Sequence, residues 1–338
     1  MITKNKKEGI KTMKIKNLKL IAAASVILVS SLFSKELAST SVSSKATQRV
    51  LNGENQSPGI SVLNINNIAY WIGKDGAYTT AGSPNGTMAD YPIFTGGFIY
   101  SDGMLWGAKV KGDGQGDEVR VGGSTYYHGL KAGRIITDSE GNVLGSDDPV
   151  NNHVWRVRKD YASADLTVDA ANYYAVGTGD VTAAQIAVVK NQYEYDWYNW
   201  PAAWGAPYED VNGDGSYDPD VDVPGYPGAD QTMWTIANDV PLIVDAAGDS
   251  IGYSNTAPSL YGADPIGIEL QITLWGYAFG ASDPLGNNIF KQAKMRYMGL
   301  PDTPDGAMLD SLYFTQWSDP DLGTYTDDYV GCDIDLSF

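Results

Sequence analysis

One loop, Asp210 to Asp222, combines residue types and a spacing that suit a metal ion. Calcium takes about six to eight oxygen ligands, which a short curled loop can supply from alternate side chains. Acidic or amide side chains stand at positions 1, 3, 5 and 9 of an EF-hand or dockerin-type loop, and Gly215 at position 6 permits the sharp turn. The pattern predicts a calcium site with ligands from Asp210, Asn212, Asp214, Ser216, Asp218, Asp220 and Asp222.

The second half of this loop departs from the EF-hand pattern. Position 12, where an EF-hand has a bidentate Glu, is Val221, and an Asp lies on either side of it. Pro219 and Pro224 exclude the usual exiting helix, because proline lacks the amide hydrogen and clashes with the preceding turn. We therefore expect an EF-like calcium loop in an all-β setting. A solvated Asp-Gly turn without metal is the alternative.

A second acidic stretch near the C-terminus is a further calcium candidate. Its spacing fits no named loop, so its ligands would have to converge through the fold. A plain acidic loop is the alternative. The candidate ligands are Asp319, Asp321, Asp327 and Asp328.

Aromatic side chains cluster just before the acidic loop, and flat rings of this kind can stack on sugars. Aromatics at helical spacing beside Pro201 are also typical of a packed core, so both interpretations stay open. The residues of the predicted glycan platform are Trp197, Trp200, Trp204 and Tyr208.

Catalytic templates are largely missing from the sequence. His128 and His153 are the two histidines, and neither stands in a His-Glu-x-x-His run, so a zinc hydrolase has no support. No nucleophile elbow, Walker loop or dinucleotide fingerprint occurs. A glycoside hydrolase needs only two carboxylates, and Glu194, Glu209 and Glu269 are the candidates. We do not expect an enzyme, although this pair-of-carboxylates chemistry stays open.

The charge of the chain is strongly negative and uneven. Of the 41 acidic residues, 33 are Asp, which favours turns and caps over helix interiors, so the acidity belongs to loops. No Lys or Arg occurs between Lys190 and Lys291, while 15 acidic residues do. Like charges at this density destabilise a compact state unless divalent cations or salt screen them. Without a basic patch, nucleic acid is excluded as a partner.

The first residues match a secretory signal peptide. Seven lysines among the first 19 residues precede an apolar run from Leu20 to Phe33. This run is shorter than the roughly 20 residues of a membrane span. We predict a signal peptide over residues 1–38, cleaved after Ser34 or Ala38, and an extracellular or outer-surface location. An uncleaved membrane anchor is the alternative. Cys332 stands alone and cannot form an internal disulfide.

The rest of the chain has a β pattern. Turn residues 101–103 and 139–141 each lie between two apolar runs, which predicts hairpins. Alternation over 266–275 predicts a strand with one buried face, and further strands are expected near 289–298 and 309–317. Thr182 is placed to cap one helix that ends before Pro201. Strands and helices do not alternate along the chain, so we do not expect a parallel α/β sheet.

These elements predict a mainly β fold of antiparallel, β-sandwich-like modules with one connecting helix and long Asp/Gly-rich loops. We expect a flexible linker over 39–59, a β domain over 60–180, a helical aromatic connector over 181–207 and a calcium-loop β domain over 208–338.

Several phrases of the sequence, taken together, resemble a family of large bacterial secreted proteins. They are Leu63 to Ile68, Gly205 to Asp210, Gly228 to Trp234 with Asn238-Asp239, and Trp317 to Gly323 with Asp327 to Asp333. The combination is similar to the N-terminal region of proteins that carry a C-terminal type IX secretion sorting domain. The resemblance implies a secreted or cell-surface fate. Because such chains continue into further β modules and this one stops at Phe338, we expect a truncated gene or a fragment.

Together these observations predict a secreted or cell-surface calcium-binding β module with a structural, adhesion or ligand-binding role. Its expected cofactor is calcium, and its expected partners are cell-surface components or glycans. The alternative is a polysaccharide-active protein, either a carbohydrate-binding module or a glycoside hydrolase that uses Asp and Glu.

Overall fold

The computed structural model describes residues 59–76, 83, 85–114, 116, 118–147, 153–240, 242–244, 250–253, 260–321, 326, 328, 329 and 331. The predicted signal peptide, all but the last residue of the predicted linker, Asp327 and Cys332 lie outside these residues. None of the helices in the described ranges combines the length and the apolar character that crossing a membrane requires.

The described part of the chain is mainly β, as predicted, and its strands follow one another with few helical interruptions. In chain order they are β1 Ile60–Leu63, β2 Ala69–Gly73, β3 Ala89–Asp90, β4 Gly97–Lys111, β5 Val119–Gly123, β6 Lys131–Ala132, β7 Ile135–Thr137, β8 Val143–Ser146, β9 Trp155–Arg158, β10 Tyr208–Glu209, β11 Val223–Pro224, β12 Gln231–Asn238, β13 Leu242–Val244, β14 Ser250–Tyr253, β15 Ile268–Gly276, β16 Phe290–Tyr297 and β17 Met308–Pro320. The α-helices are α1 Thr167–Tyr174 and α2 Ala183–Tyr198.

Two antiparallel sheets form the sandwich-like body. The first sheet has the order β1-β2-β3-β4-β17, and β5 also pairs with β4. The second has the order β16-β15-β12-β6, and β9 also pairs with β12. Side chains from both sheets share one buried core, in which Tyr70, Met104 and Trp106 of the first sheet accompany Met233 and Leu270 of the second. The prediction of antiparallel, sandwich-like β structure is confirmed.

The second sheet is buried on both faces around its central strands. All eight residues of β12 and all nine of β15 are buried. One face contributes to the shared core, and the other carries Trp234 and Ile236 into a second cluster with Trp200 and Ala206. The sequence predicted a strand at β15 correctly but expected only one buried face. A second covering layer, supplied by the segment after α2, accounts for the difference.

The long helix α2 begins where the sequence predicted. Thr182 accepts a hydrogen bond from the backbone of Gln185, whose side chain accepts from the Thr182 backbone in return, a capping box. The shorter helix α1 was not predicted. Leu166 and Ala170 on its side pack against Val189 and Tyr193 of α2. Because α1 has only eight residues, it offers too little apolar periodicity to detect from sequence.

A buried polar network joins these helices to the second sheet. Asp169 on α1 is 1% exposed and accepts hydrogen bonds from Arg156 (2.5 Å), Arg158 (2.7 Å) and the Tyr193 hydroxyl (2.5 Å). Gln231 at the start of β12 donates to the same Tyr193 hydroxyl at 2.7 Å. Buried carboxylates of this kind are tolerated when charged donors surround them, so the network fixes the helices to the sheet.

The predicted hairpin at residues 101–103 is wrong, while the predicted turn at 139–141 does connect the paired strands β7 and β8. Residues 101–103 lie inside the continuous strand β4, which pairs with β17 on one side. Asp102 is 3% exposed and bonds to Tyr70 and Lys291 instead of turning the chain. The position of Gly103 has no room for a side chain beside Trp317 Nε1 and the Ser124 carbonyl, so close packing explains this glycine.

The two predicted β regions do not form separate sheets. β4 from the first region pairs with β17 from the second, and β12 pairs with both β9 and β6. The described residues of both regions belong to one compact unit. The segment 181–207 therefore covers one face of a sheet that both regions build.

Replacing Gly103 with Ala tests how closely β4, β17 and the turn after β5 pack. An added Cβ would lie 2.4 Å from the Ser124 carbonyl oxygen and 2.5 Å from Trp317 Nε1. We expect Gly103→Ala to lower the free energy of unfolding by about 1–3 kcal/mol, the usual cost of overpacking. Gly96→Ala is the matched control, since a Cβ there meets no atom within 4 Å, and urea unfolding of both variants is the measurement. Equal stability of the two would contradict the packing.

Candidate metal centre

The acidic loop is closed at its base by its own short strand pair. Tyr208 and Glu209 of β10 pair with Pro224 and Val223 of β11. Asp222, just before β11, is 2% exposed, and its two carboxylate oxygens accept from the backbone N–H groups of Val211 (2.9 Å) and Asp218 (2.8 Å). Asp222 therefore holds the two ends of the loop together.

Asp210 organises the first half of the loop. Its Oδ1 accepts from the N–H groups of Gly213 (2.7 Å) and Asp214 (3.2 Å), and its Oδ2 accepts from that of Gly215 (2.9 Å). Gly213 and Gly215 have φ of 73° and 78°, left-handed values that a residue with a Cβ adopts only with strain. The loop curls around the Asp210 carboxylate because these two glycines permit it.

The remaining candidate ligands lie on the solvent side of this curl. Asn212 Oδ1 accepts from Asp214 N at 3.0 Å, and Asp214 Oδ1 accepts from Ser216 N at 2.8 Å. Asp218 Oδ1 accepts from the N–H of Asp220 at 3.0 Å. Residues 211–216 are all exposed, so water and ions reach them directly. The atoms that they would offer to a metal ion are all oxygens, the ligands that calcium prefers.

The carboxylates of the loop face backbone amides and are not gathered around one point. Among the described residues, no three His, Cys, Asp or Glu side chains form a group placed to hold a metal ion. An ionised carboxylate offers about four lone-pair sites, so bonds to one, two or three amides leave others available. The residue types of the loop fit calcium, and binding would require the exposed side chains to turn inward.

The electrostatic field of the loop is negative. In the described part of the chain, none of its five carboxylates forms an ion pair with Lys or Arg. Partial burial raises the pKa of Tyr208, and the charges of Asp210, Asp222 and Asp214 raise it further. Burial, together with Asp222 and Asp218, likewise raises the pKa of the Tyr217 phenol.

The loop is docked on helix α2 through two aromatic side chains. Trp197 Nε1 donates to the Pro219 carbonyl at 3.1 Å, and the Tyr217 hydroxyl donates to the Trp197 carbonyl at 2.5 Å. The Tyr208 and Tyr217 rings meet edge to face, with centroids 5.5 Å apart. Order in the loop is therefore coupled to order at the C-terminal end of α2.

The four residues of the predicted glycan platform do not form one exposed surface. Trp200 is 4% exposed, lies in the core cluster and donates from Nε1 to the Pro207 carbonyl at 2.8 Å. Trp204 packs against the same cluster, with the Arg134 guanidinium 4.1 Å from its ring centroid. Trp197 and Tyr208 are half-buried and serve the loop as described above. The rings fill the layer between the loop and the second sheet.

The second acidic candidate is only partly within the described residues. Asp319 accepts from the Tyr126 hydroxyl at 2.6 Å, and the backbone N–H of Asp321 donates to the Phe98 carbonyl at 3.1 Å. Asp328 is exposed, and Asp327 lies outside the described residues. Asp319 and Asp321 add to the burial that raises the pKa of Tyr100.

The three candidate glutamates lie on different elements. Glu194 on α2 and Glu209 on β10 are exposed. Glu269 on β15 is 3% exposed, accepts from the Ile135 N–H at 3.0 Å and lies 3.6 Å from Arg296. These bonds give Glu269 a structural role. His153 packs at a tilt against Trp155, with ring centroids 4.0 Å apart, and its Nε2 is hydrogen-bonded to Asp196, so this histidine has a structural partner.

An exposed aromatic cluster, which the sequence did not indicate, surrounds the turn between Ser124 and His128. Tyr127 and Tyr261 stack with centroids 5.9 Å apart and are 56% and 68% exposed. Beside them, Tyr126 is 57% exposed, and its ring centroid lies 5.0 Å from that of Trp317. Pairing of β4 with β17 brings Trp317 to this turn, so no local pattern could reveal the cluster.

Comparison with known proteins adds no family assignment. A scan against protein-family models and searches of curated proteins and of solved structures find no match to this chain. The geometry and chemistry of the described residues therefore carry the functional argument.

Replacing Asp222 with Ala tests its role in closing the loop. The substitution leaves two backbone N–H groups without their acceptor, so we expect the free energy of unfolding in EGTA to fall by about 1–3 kcal/mol. Asp220→Ala is the control, since Asp220 is exposed and its substitution should change stability by no more than about 0.5 kcal/mol. If both variants unfold at the same urea concentration as the parent protein, Asp222 does not hold the loop.

Proposed function

We propose that this protein is an exported calcium-binding β module whose metal stabilises the acidic loop at residues 210–222. The observation that carries the proposal is the curl around Asp210. It places an oxygen-only donor set on an exposed loop whose five carboxylates have no cationic partner among the described residues. A divalent cation relieves the repulsion between these charges and suits these ligands.

The exposure of each side chain separates the ligands of the proposed site from the residue that closes the loop. Asp210, Asn212, Asp214 and Asp218, with the Ser216 carbonyl, would hold the ion. Asp222 is 2% exposed and holds the base of the loop, so the exposed carboxylate of Asp220 is the better candidate for closing the coordination shell. Calcium would supply charge neutralisation and rigidity here. Its effect would reach α2 through Trp197 and Tyr217.

Terbium luminescence and thermal unfolding test this proposal. Terbium replaces calcium at oxygen sites and is excited through nearby aromatic rings, for which Trp197 and Tyr217 are well placed. We expect saturable luminescence that calcium displaces, and a melting temperature that falls by several degrees in EGTA and returns with calcium. Asp214→Asn should weaken calcium affinity by about tenfold or more, which corresponds to about 1.4 kcal/mol.

Asp305→Asn is the matched control, because Asp305 is an exposed turn aspartate outside the loop. Absence of sensitised luminescence, together with an unchanged melting temperature at millimolar calcium, would contradict calcium binding.

Export is the second part of the proposal. The lysine-rich leader followed by a short apolar run supports it, and so does the resemblance to secreted proteins with a type IX sorting domain. A structural, adhesion or ligand-binding role at the cell surface agrees with the acidic, loop-rich composition.

Carbohydrate contact is the alternative function, and the exposed tyrosines give it a specific location. Tyr127 and Tyr261 present two stacked and largely exposed rings, and Thr125 Oγ1 lies 2.5 Å from the Tyr261 hydroxyl. Rings with adjacent hydroxyl groups can stack on a sugar face and bond to its hydroxyls. This surface replaces the platform that the sequence placed at Trp197 to Tyr208.

A polysaccharide array tests the alternative. We expect the Tyr127→Ala/Tyr261→Ala double variant to lose about fivefold to 150-fold in affinity for any polysaccharide that the parent protein binds, since two stacked rings together contribute about 1–3 kcal/mol. Tyr198→Ala is the control, because Tyr198 is an exposed tyrosine on α2, away from this surface. Equal binding by the double variant would exclude this surface.

A further inference from the structure

A largely buried lysine and a buried aspartate meet between the two sheets. Lys291 lies on β16 of the second sheet and Asp102 on β4 of the first, and Lys291 Nζ is 3.3 Å from Asp102 Oδ1. Their side chains are 12% and 3% exposed. This pair belongs neither to the acidic loop nor to the exposed aromatic cluster near Ser124.

Two further groups are directed at the other oxygen of the same carboxylate. The Tyr70 hydroxyl donates to Asp102 Oδ2 at 2.9 Å, and Gln316 Nε2 donates to it at 3.3 Å. Lys291 Nζ also lies 3.5 Å from the Tyr70 hydroxyl oxygen. The carboxylate thus has an amine at one oxygen and two hydrogen-bond donors at the other, as in a site that stabilises an oxyanion.

The surroundings favour the neutral forms of both groups. Tyr70, Met104 and Leu274, which are core residues of the two sheets, accompany the pair. Burial raises the pKa of Asp102, and the charge of Lys291 and the Tyr70 hydroxyl only partly oppose this shift. Burial also lowers the pKa of Lys291, against the opposing charge of Asp102. A proton passing from Nζ to Oδ1 along their contact would give an amine and a carboxylic acid in contact.

We propose that Lys291 and Asp102 condense to an intramolecular isopeptide bond that joins the two sheets. The Nζ lone pair attacks Cγ of the protonated carboxyl group, and the carbonyl electrons move to Oδ2, where Tyr70 and Gln316 hold the oxyanion. A proton moves from Nζ to the Oδ1 hydroxyl, the Cγ–Oδ1 bond breaks and water leaves. The carbonyl then re-forms, so that one ammonium and one carboxylate become one amide and one water.

The consequence for the molecule is a covalent bridge that a disulfide cannot provide. The chain has a single cysteine. A bond between residues 189 positions apart would restrict the unfolded chain much as a long-range disulfide does. Mass action also favours the amide once water has left a buried site, because the hydrolytic reactant is excluded.

Intact-mass spectrometry of the denatured full-length protein is the decisive experiment. We expect a mass lower than the sequence mass by one water, after accounting for removal of the leader. Trypsin releases Asp102 in peptide 75–109 and cannot cleave after an acylated Lys291, so peptide 75–109 should appear joined to peptide 191–294. A folded protein at the full sequence mass, or a bridge between other residues, would overturn the proposal.

Three variants and one internal control sharpen the experiment. Lys291→Arg keeps the charge but cannot form the amide under these conditions, so its mass should equal its sequence mass. In Asp102→Asn, condensation of Lys291 with the new amide would release ammonia, so the linked variant should be lighter than its sequence mass by one ammonia. Tyr70→Phe keeps the ring but removes a donor to Oδ2, and it should leave a measurable unlinked fraction. Complete linkage in Tyr70→Phe would exclude the role of that hydroxyl.

The internal control is the ion pair between Lys111 and Asp310. Its two charged atoms are 2.5 Å apart, closer than those of Lys291 and Asp102, but the side chains are 46% and 41% exposed. Because water solvates this pair, it should stay unlinked in the same peptide map. Linkage at Lys111 as well would mean that proximity alone, without burial, drives the reaction and would overturn the proposed mechanism.

Discussion

The central antiparallel pair β12–β15 is buried on both faces, and this constraint organises the molecule around it. Buried polar side chains need hydrogen-bond partners, and five of those on this pair find them in the segments that surround it. The ties are Gln231 to Asn64 and Tyr193, Thr235 to the Lys74 carbonyl, Asn238 to Gly133 and Ser146, Glu269 to Ile135, and Gln271 to the Trp204 carbonyl. The sheet therefore positions the loops as well as filling the core.

The same need for partners explains how the chain tolerates its acidity. The sequence suggested cations or salt as the means of screening the long stretch without Lys or Arg. In the structure many of its carboxylates accept backbone N–H groups, whose dipoles supply positive charge locally. Asp239 accepts three, from Ile266, Gly267 and Ile268, although burial still raises its pKa to about 6. A metal at the acidic loop would thus add to a network of amide contacts that already orders the backbone.

Local patterns predicted the local elements and missed the distant pairings. Thr182 and the spacing after it located α2, and the alternation over 266–275 located β15. The turn expected at 101–103 does not form because β4 runs on to pair with β17, some 200 residues later in the chain. The partners of Asp102 lie at Tyr70, Lys291 and Gln316, and no sequence window contains them. Hydrophobic periodicity and turn propensity describe neighbouring residues, so they cannot reveal contacts between residues that lie far apart in the sequence.

Several sequence phrases that suggest a likeness to secreted proteins contain residues that tie elements of the fold together. Asn64 bonds into the polar network around Gln231, Asn238 joins β12 to the turn after β6, and Trp317 Nε1 donates to the Ser124 carbonyl at 2.7 Å. Asn64 and Asn238 are buried and Trp317 is half-buried, so these side chains serve the fold. The features that face solvent are different ones, the acidic loop beyond Asp210 and the tyrosines near Ser124. Only the first of these is contiguous in sequence, which is why composition pointed to it and gave no sign of the second.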